Sequence, residues 1–319
     1  MKDRAKLKTV TAFSTQVHPC QQSAITTIDP TTGVQKVLTT ATTPVGCDFG
    51  GGLAYDADHH HWIMELSNTG SSPNLAVVNP TTGKLIETSN GTLPWSPWAM
   101  AYDNKTNKTF GVWVNEQTQV IQVVKLFPKT GGHQVVCDLP TSPYCHPQPC
   151  DTAISKVGIF DAAKRTWTLV MNSNYRLQQT LVHVNIDTGT FKQVKLPSAT
   201  YMPISSMSLD PPSGNYVGVA YIPNHGWWSI VNINPSTGAV TRVGAIFPNP
   251  YKTVYQYTTW FYDYDAHVYY LLTSNINQNE WYIYAIQSEH GTILSQAKLV
   301  SGTKGTPVSL MIPDQFLLP

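Results

Sequence analysis

AVVNPTTGKL (76–85) is nearly a copy of TTIDPTTGVQ (26–35) and of VNINPSTGAV (231–240). In each phrase a Pro presets φ for the first turn position, and a Gly three residues later supplies the positive φ that turns the chain back. Apolar residues alternate on both sides, as in Asn74-Leu75-Ala76-Val77-Val78 before the turn and Lys84-Leu85-Ile86-Glu87 after it. The phrase is therefore the tip of a β-hairpin. Degenerate copies occur at KLFPKTGGHQ (125–134), VNIDTGTFKQ (184–193) and IQSEHGTILS (286–295). The turn glycines are Gly33, Gly83, Gly131, Gly189, Gly238 and Gly291, at steps of 50, 48, 58, 49 and 53 residues.

A second phrase runs in phase with the first. It is a short apolar strand ending in Asp: GLAYD (52–56), AMAYD (99–103), VGIFD (157–161), SMSLD (206–210), TWFYD (259–263) and SLMIPD (309–314). From each aspartate to the next turn glycine the distance is 27 residues once and 28 residues four times. Insertions thus fall only between a glycine and the following aspartate. A fixed module with variable connectors is a repeated supersecondary unit. Each unit holds four strands, A to D, with the Asp turn between A and B and the Gly turn between C and D.

About 50 residues and four strands per unit specify a propeller blade. The expected fold is all-β: a six-bladed β-propeller of four antiparallel strands per blade, one domain over residues 1–319. Five blades are contiguous, near 51–90, 98–140, 155–196, 204–246 and 256–300. The sixth is split, with residues 307–312 returning as strand A beside strands B to D from residues 9–41. That closure removes free sheet edges at the join.

With these motifs the chain resembles six-bladed propellers of the NHL-repeat, YncE-like and gluconolactonase-like kinds. The resemblance spans nearly the whole chain and speaks to fold rather than activity. It implies that the B–C and D–A connectors share one face and the tight A–B and C–D turns the other. The variable lengths agree, because long loops on a rigid scaffold are where binding and catalysis usually sit.

Those connectors are rich in aromatics and amides. They carry Trp95 and Trp98 between blades 1 and 2, and His225, Trp227 and Trp228 in blade 4. Tyr255 and Tyr257 follow in the next connector, and Asn277 and Trp281 lie in blade 5. Rings beside amides with little charge suit a protein interface or a glycan, whose apolar faces stack on aromatics. Packing between blades would use the same residues.

Charged residues are only 12% of the chain, against about 25% in ordinary domains, and the formal net charge is +1. No basic face for nucleic acid is expected. No apolar run approaches the ~18 residues of a membrane helix. The amino terminus, MKDRAKLKTVTAF, lacks the apolar segment of a signal peptide; its cluster Lys2, Arg4, Lys6 and Lys8 reads as a solvated tail. Asn90, Asn104 and Asn107 head Asn-x-Thr acceptor sites, and the cysteines fall in loops, which tilts the expected setting toward an extracellular or cell-surface one.

The five cysteines leave several pairings open. Cys20–Cys47 would tie the amino-terminal segment to the ring. Cys145–Cys150 would close a small loop, or Cys137 would take one of that pair. A zinc site is the rival for the Cys145–Cys150 loop, but the spacing matches zinc knuckles poorly.

Catalytic signals are sparse. A lactonase of the gluconolactonase type gathers carboxylates around Ca²⁺ at the channel. The connector-face acids here, Asp48, Asp138, Asp151 and Glu280, with Glu65 and Glu116 near strand ends, form no matching motif. The marker aspartates read as turn caps, and Asp58-His59-His60-His61 as a solvated turn. No G-x-S-x-G elbow or phosphate-binding glycine loop occurs. The expected function is a non-catalytic binding or structural module without cofactor or metal, acting on a protein partner, on itself or on a glycan. The alternative is a lactonase-like hydrolase or lyase working at the central channel.

Overall fold

The computed structural model describes residues 7–15, 23–41, 53–56, 58–66, 73–82, 84–97, 99–118, 120–139, 154–172, 179–197, 204–222, 227–248, 259–275, 280–300 and 306–311. They form strands and turns, with no helix among them. The chain opens with β1 (Val10–Thr15), β2 (Ser23–Ile28) and β3 (Gln35–Ala41). Blade 1 is β4 (Leu53–Asp56), β5 (His61–Leu66), β6 (Asn74–Val78) and β7 (Leu85–Thr88). Blade 2 is β8 (Ala99–Asp103), β9 (Lys108–Asn115), β10 (Val120–Phe127) and β11 (Gly132–Leu139). Blade 3 is β12 (Ile154–Asp161), β13 (Thr166–Asn172), β14 (Gln179–Asn185) and β15 (Phe191–Lys195). Blade 4 is β16 (Ile204–Asp210), β17 (Asn215–Ile222), β18 (Trp227–Ile233) and β19 (Val240–Pro248). Blade 5 is β20 (Thr259–Asp263), β21 (Val268–Asn275), β22 (Glu280–Gln287) and β23 (Thr292–Lys298). β24 (Thr306–Met311) returns to pair with β1, giving blade 6 the order β24-β1-β2-β3.

The six four-stranded sheets are those the repeat predicts, and every neighbouring pair is antiparallel. Each first strand touches the first strand of the next blade, from β4 through β8, β12, β16 and β20 to β24. The A strands thus surround one axis, and the D strands form the rim: the protein is a six-bladed β-propeller.

The core lies between blades. Phe110, Val112, Ile121 and Val123 of blade 2 pack on Trp167, Leu169, Val182 and Val184 of blade 3. The seam of blades 5 and 6 uses Tyr270, Leu272 and Ile283 against Val10, Ala12 and Ile28. Strand B supplies the largest buried rings in three blades, Trp62, Trp113 and Trp167. Two-residue alternation lets one sheet feed both of its neighbours, so both faces of the inner strands are apolar.

The hairpin phrase has a double role. Asp29, Asn79, Asn185 and Asn234 each accept the N–H groups two and three residues on, which fixes the turn. The glycine supplies φ near +70°, as at Gly33 and Gly238. It also admits the neighbouring blade: a Cβ on Gly238 would stand 2.2 Å from the Lys195 carbonyl oxygen of blade 3, and one on Gly33 2.0 Å from that of Lys298 in blade 5. Backbone meets backbone there, so Val300 N–H donates to the Gly33 carbonyl at 3.0 Å.

Candidate functional site

The two ends of the blades do different work. At the A–B turns the marker aspartates Asp56, Asp103, Asp161, Asp210 and Asp263 are buried, with Asp103 and Asp263 fully so, while Asp314 lies outside the described residues. One role is the expected cap. Asp56 Oδ1 accepts from the N–H groups of Asp58 and His59, Asp161 Oδ1 from Lys164, and Asp263 Oδ1 from Ala266. The Thr106 and Ser213 hydroxyls donate to Asp103 and Asp210.

The second role joins blades. Asp103 of blade 2 meets Arg165 of blade 3, Nη1 to Oδ2 at 2.5 Å, as an ion pair rather than an aligned hydrogen bond. Arg165 is held from its other side by Asp187, Nε to Oδ2 at 2.9 Å and Nη2 to Oδ1 at 2.8 Å. That fork keeps the Asp187 carboxyl below its ordinary range and raises the guanidinium further. Asp210 of blade 4 accepts from Tyr262 OH of blade 5 at 3.3 Å. Asp263 of blade 5 pairs with Lys8 Nζ at 3.1 Å, just before strand β1 of blade 6. Burial, and then Asp56 of blade 1, raise the Tyr102 hydroxyl of blade 2.

The fifth position of these turns has positive φ at His60, Asn107, Arg165, Gly214 and His267. This places its side chain beside the residue preceding the aspartate. Tyr55 OH lies 3.0 Å from His60 Nδ1, Tyr262 OH 3.4 Å from His267 Nδ1, and Arg165 over the Phe160 ring. The histidine run is divided accordingly. His59 Nδ1 reaches Asp56 Oδ2 at 2.8 Å and its ring stacks on His61, while His60 turns to Tyr55. Among the described residues no three His, Cys, Asp or Glu side chains gather to hold a metal ion.

One expectation is corrected here. Lys8 is not part of a solvated tail: its ammonium is bound to a fully buried carboxylate, and its N–H donates to Tyr270 OH at 3.0 Å. Charge spacing alone could not have found this, because the partner lies in another blade. Lys2, Arg4 and Lys6 lie outside the described residues.

A buried relay links blades 3 and 4. Tyr216 OH lies 2.7 Å from Thr168 Oγ1, which lies 2.8 Å from His183 Nδ1, and His183 Nε2 lies 2.9 Å from the Pro235 carbonyl. The carbonyl only accepts, so Nε2 carries the proton and Nδ1 accepts from Thr168, which in turn accepts from Tyr216. Burial holds the imidazole below its ordinary pKa. No motif signalled this set, because its bonded members are separated by 15 to 52 residues.

On the connector face, Trp95 is half-buried against blades 1 and 2. Beside it the Ser96 hydroxyl donates to Glu65 Oε1 at 2.6 Å, and Glu65 is 1% exposed. Trp228 is buried between blades 4 and 5 and offers a ligand little surface. Trp281 is half-buried at the seam of blades 5 and 6. The neighbouring Trp260 spends its indole N–H on the Met207 carbonyl at 3.2 Å. Glu280 accepts from Tyr282 OH and from Lys298, and the lysine holds its carboxyl below the usual range. Asp138 accepts from Gln122 Nε2 at 2.9 Å. Trp227 lies in β18; Trp98, His225, Tyr255, Tyr257 and Asn277 lie outside the described residues.

Cys20, Cys47, Cys145 and Cys150 also lie outside them. Cys137 is a free thiol, which burial pushes up to about 11, keeping it protonated at neutral pH. Asn90 and Asn107 are exposed, while Asn104 is half-buried. Among the described residues no helix is long and apolar enough to cross a membrane.

No protein-family profile matches this sequence, and curated proteins include no sequence relative of it. Solved structures do resemble it. A putative 6-phosphogluconolactonase from Bacteroides uniformis is 12% identical with a TM-score of 0.54, over 95% of this chain and 98% of that one. A protein from Lactobacillus plantarum is 14% identical with a TM-score of 0.55, over 91% and 82%. TolB from Acinetobacter baumannii is 10% identical with a TM-score of 0.54, over 91% of this chain and 66% of its own. At such identities the likeness is one of fold, which these proteins share with a chain of quite different sequence.

Proposed function

We propose that this propeller is a non-catalytic binding or structural module, extracellular or at a cell surface, that works by contact with protein. The observation that carries the reading is where large apolar side chains meet solvent. Leu85, Ile86, Val135, Phe191, Ile293 and Leu294 are each more than a third exposed, and all lie on outermost strands. Exposed aliphatic and aromatic side chains of this kind suit a contact with protein. Trp95 and Trp281 add aromatic surface on the connector face, where a glycan would be the other ligand to suit them. The described aspartates and histidines of the A–B turns are engaged in holding the ring, which leaves them a structural role.

The setting is tested by secretory expression and mass spectrometry of the sequons. Asn90 and Asn107 should carry glycan before Asn104, and a product bare at all three would remove the support that the sequons give to an extracellular setting. Binding is tested on a glycan array and by affinity to candidate protein surfaces, with Trp281→Ala and Trp95→Ala as variants. Loss of a captured protein on either substitution supports the reading; binding that neither variant changes removes the connector face from it.

A lactonase-like hydrolase or lyase is the second reading, favoured by the buried Glu65 carboxylate beside Ser96 on the connector face. Turnover of a lactone panel that Glu65→Gln abolishes would replace the binding reading with this one.

A further inference from the structure

One outermost strand differs from the others in its backbone. β3, β7, β11, β19 and β23 each shift register against the strand beside them, a bulge that bends an edge away from further pairing. β15 of blade 3 pairs with β14 without a shift, from Thr180↔Lys195 to Val184↔Phe191. Hydrogen bonds set which of its residues face outward. Asn185 N–H donates to the Thr190 carbonyl at 2.8 Å, and Leu196 N–H to the Gln179 carbonyl at 2.9 Å. Bonded pairs alternate along an antiparallel ladder, so Lys192 and Val194 spend their backbone groups on β14, while Phe191 and Gln193 point theirs away from it. Beyond them the Gly238 turn of blade 4 closes on the Lys195 carbonyl and ends the open edge.

The side chains alternate too. Val194 is buried in one cluster with Tyr216 and Val231 of blade 4, and Lys192 shares its side of the sheet. Phe191, 43% exposed, lies on the other side with Gln193 and Lys195. Lys192 and Lys195 are exposed, and neither is in an ion pair among the described residues. The acids of this sector are already engaged, Asp103 and Asp187 by Arg165 and Asp161 by Lys164. Burial first, and then Lys192 and Lys164, hold the His183 imidazole down; after Arg165, Lys108 and Lys105 of blade 2 act on the Asp187 carboxyl. The one regular edge thus lies in a basic sector.

A second copy does not suit this edge, because two β15 strands would bring lysines together. An acidic strand does suit it. We infer that β15 receives an acidic, extended segment of a partner protein, which adds to blade 3 as a fifth strand. Run antiparallel, the guest places one acid opposite Lys192 and a second acid three residues before it, beside Lys195. The residue that follows the first acid lies opposite Phe191 and should be apolar. The inference rests on the reading that the propeller works by contact with protein, and it names the partner's chemistry and the strand that meets it. The two can fail separately, because Trp95→Ala and Trp281→Ala leave β15 untouched.

The test is fluorescence anisotropy of a labelled peptide, Thr-Glu-Thr-Thr-Glu-Val-Thr, titrated with the full chain. Saturable binding at about 1 mM protein or below is expected, weakened by salt. A copy of the peptide with Lys in place of both Glu should not bind. Lys192→Glu, at an exposed position, should weaken binding about tenfold or more. Gln193→Pro removes an outward N–H and no bond to β14, so the thermal midpoint should stay close to wild type while binding is lost. Absence of saturable binding to the acidic peptide overturns the inference. So does binding undiminished by Gln193→Pro, which would be charge attraction without strand addition. Protein capture that depends on Trp95 or Trp281, with no peptide bound at β15, removes this inference and leaves the wider reading standing.

Discussion

The seam of blades 2 and 3 and the seam of blades 5 and 6 are built to one plan with unequal materials. In each, a fully buried aspartate at the end of strand A meets a cation that precedes strand B of the next blade. At the first seam the cation is Arg165, 14% exposed, set by an unbroken A–B turn and forked onto a second carboxylate, Asp187. At the other it is Lys8, 39% exposed, where strands A and B of blade 6 come from distant parts of the chain. A guanidinium presents a rigid fork to two partners, and an ammonium on a flexible stem does not. The geometry of the latch belongs to the propeller; its strength belongs to the residue that fills it.

The largest expected effect breaks the first latch. Arg165→Ala leaves Asp103 buried and uncompensated, and should cost about 3 kcal/mol in urea unfolding. Arg165→Lys should recover part of that, making the first seam a copy of the other. Asp103→Asn in the Arg165→Ala background should then cost little more, since the pair acts as a unit.

Next comes the backbone contact between blades. Gly238→Ala places a methyl group 2.2 Å from the Lys195 carbonyl in a left-handed residue. It should cost about 2 kcal/mol or more. Gly214→Ala shares the positive φ, but its Cβ would meet nothing within 4 Å. It should cost about 1 kcal/mol. Their difference measures what blade-to-blade approach adds to turn strain.

Lys8→Met should cost about 1 kcal/mol, less than Arg165→Ala, because Lys8 is partly solvated. Raised salt should weaken the wild-type Lys8 latch more than the Arg165 latch. Equal losses at the two seams would show that solvent access does not set the difference.

The smallest effect is on pH. Folding holds His183 below its ordinary value of 6.5. The unfolded chain therefore takes up this proton first as pH falls, so stability should be flat above about 6.5 and decline below it. His183→Gln should flatten that decline in thermal midpoints taken from pH 7.5 to 5. A decline unchanged by the substitution would assign it to other groups.

Much of the architecture was legible in advance because it is periodic. Asp56, Asp103, Asp161, Asp210 and Asp263 end strand A in the five contiguous blades, and the aspartate caps follow from local turn chemistry. What each aspartate does with its remaining capacity was not legible. For Asp103, Asp210 and Asp263 the partner lies one blade on and changes identity, from Arg165 to Tyr262 to Lys8, whereas Asp161 pairs with Lys164 of its own turn. A periodic signal averages over such differences. Trp228 and Trp281 show the same limit on the connector face. Both read as candidate ligand residues, yet one is buried between blades and the other half-exposed, because burial depends on what the adjacent blade places opposite.

The amino-acid sequence by itself determined the number of blades, their phase and the chemistry of their turns, since each is fixed by residues within one hairpin. Tertiary structure alone decided that the turn glycines admit a neighbouring backbone and that Lys8 is a latch. Those facts depend on the distance between blades, and that distance is set by side chains about 50 residues or more apart, packing around a common axis.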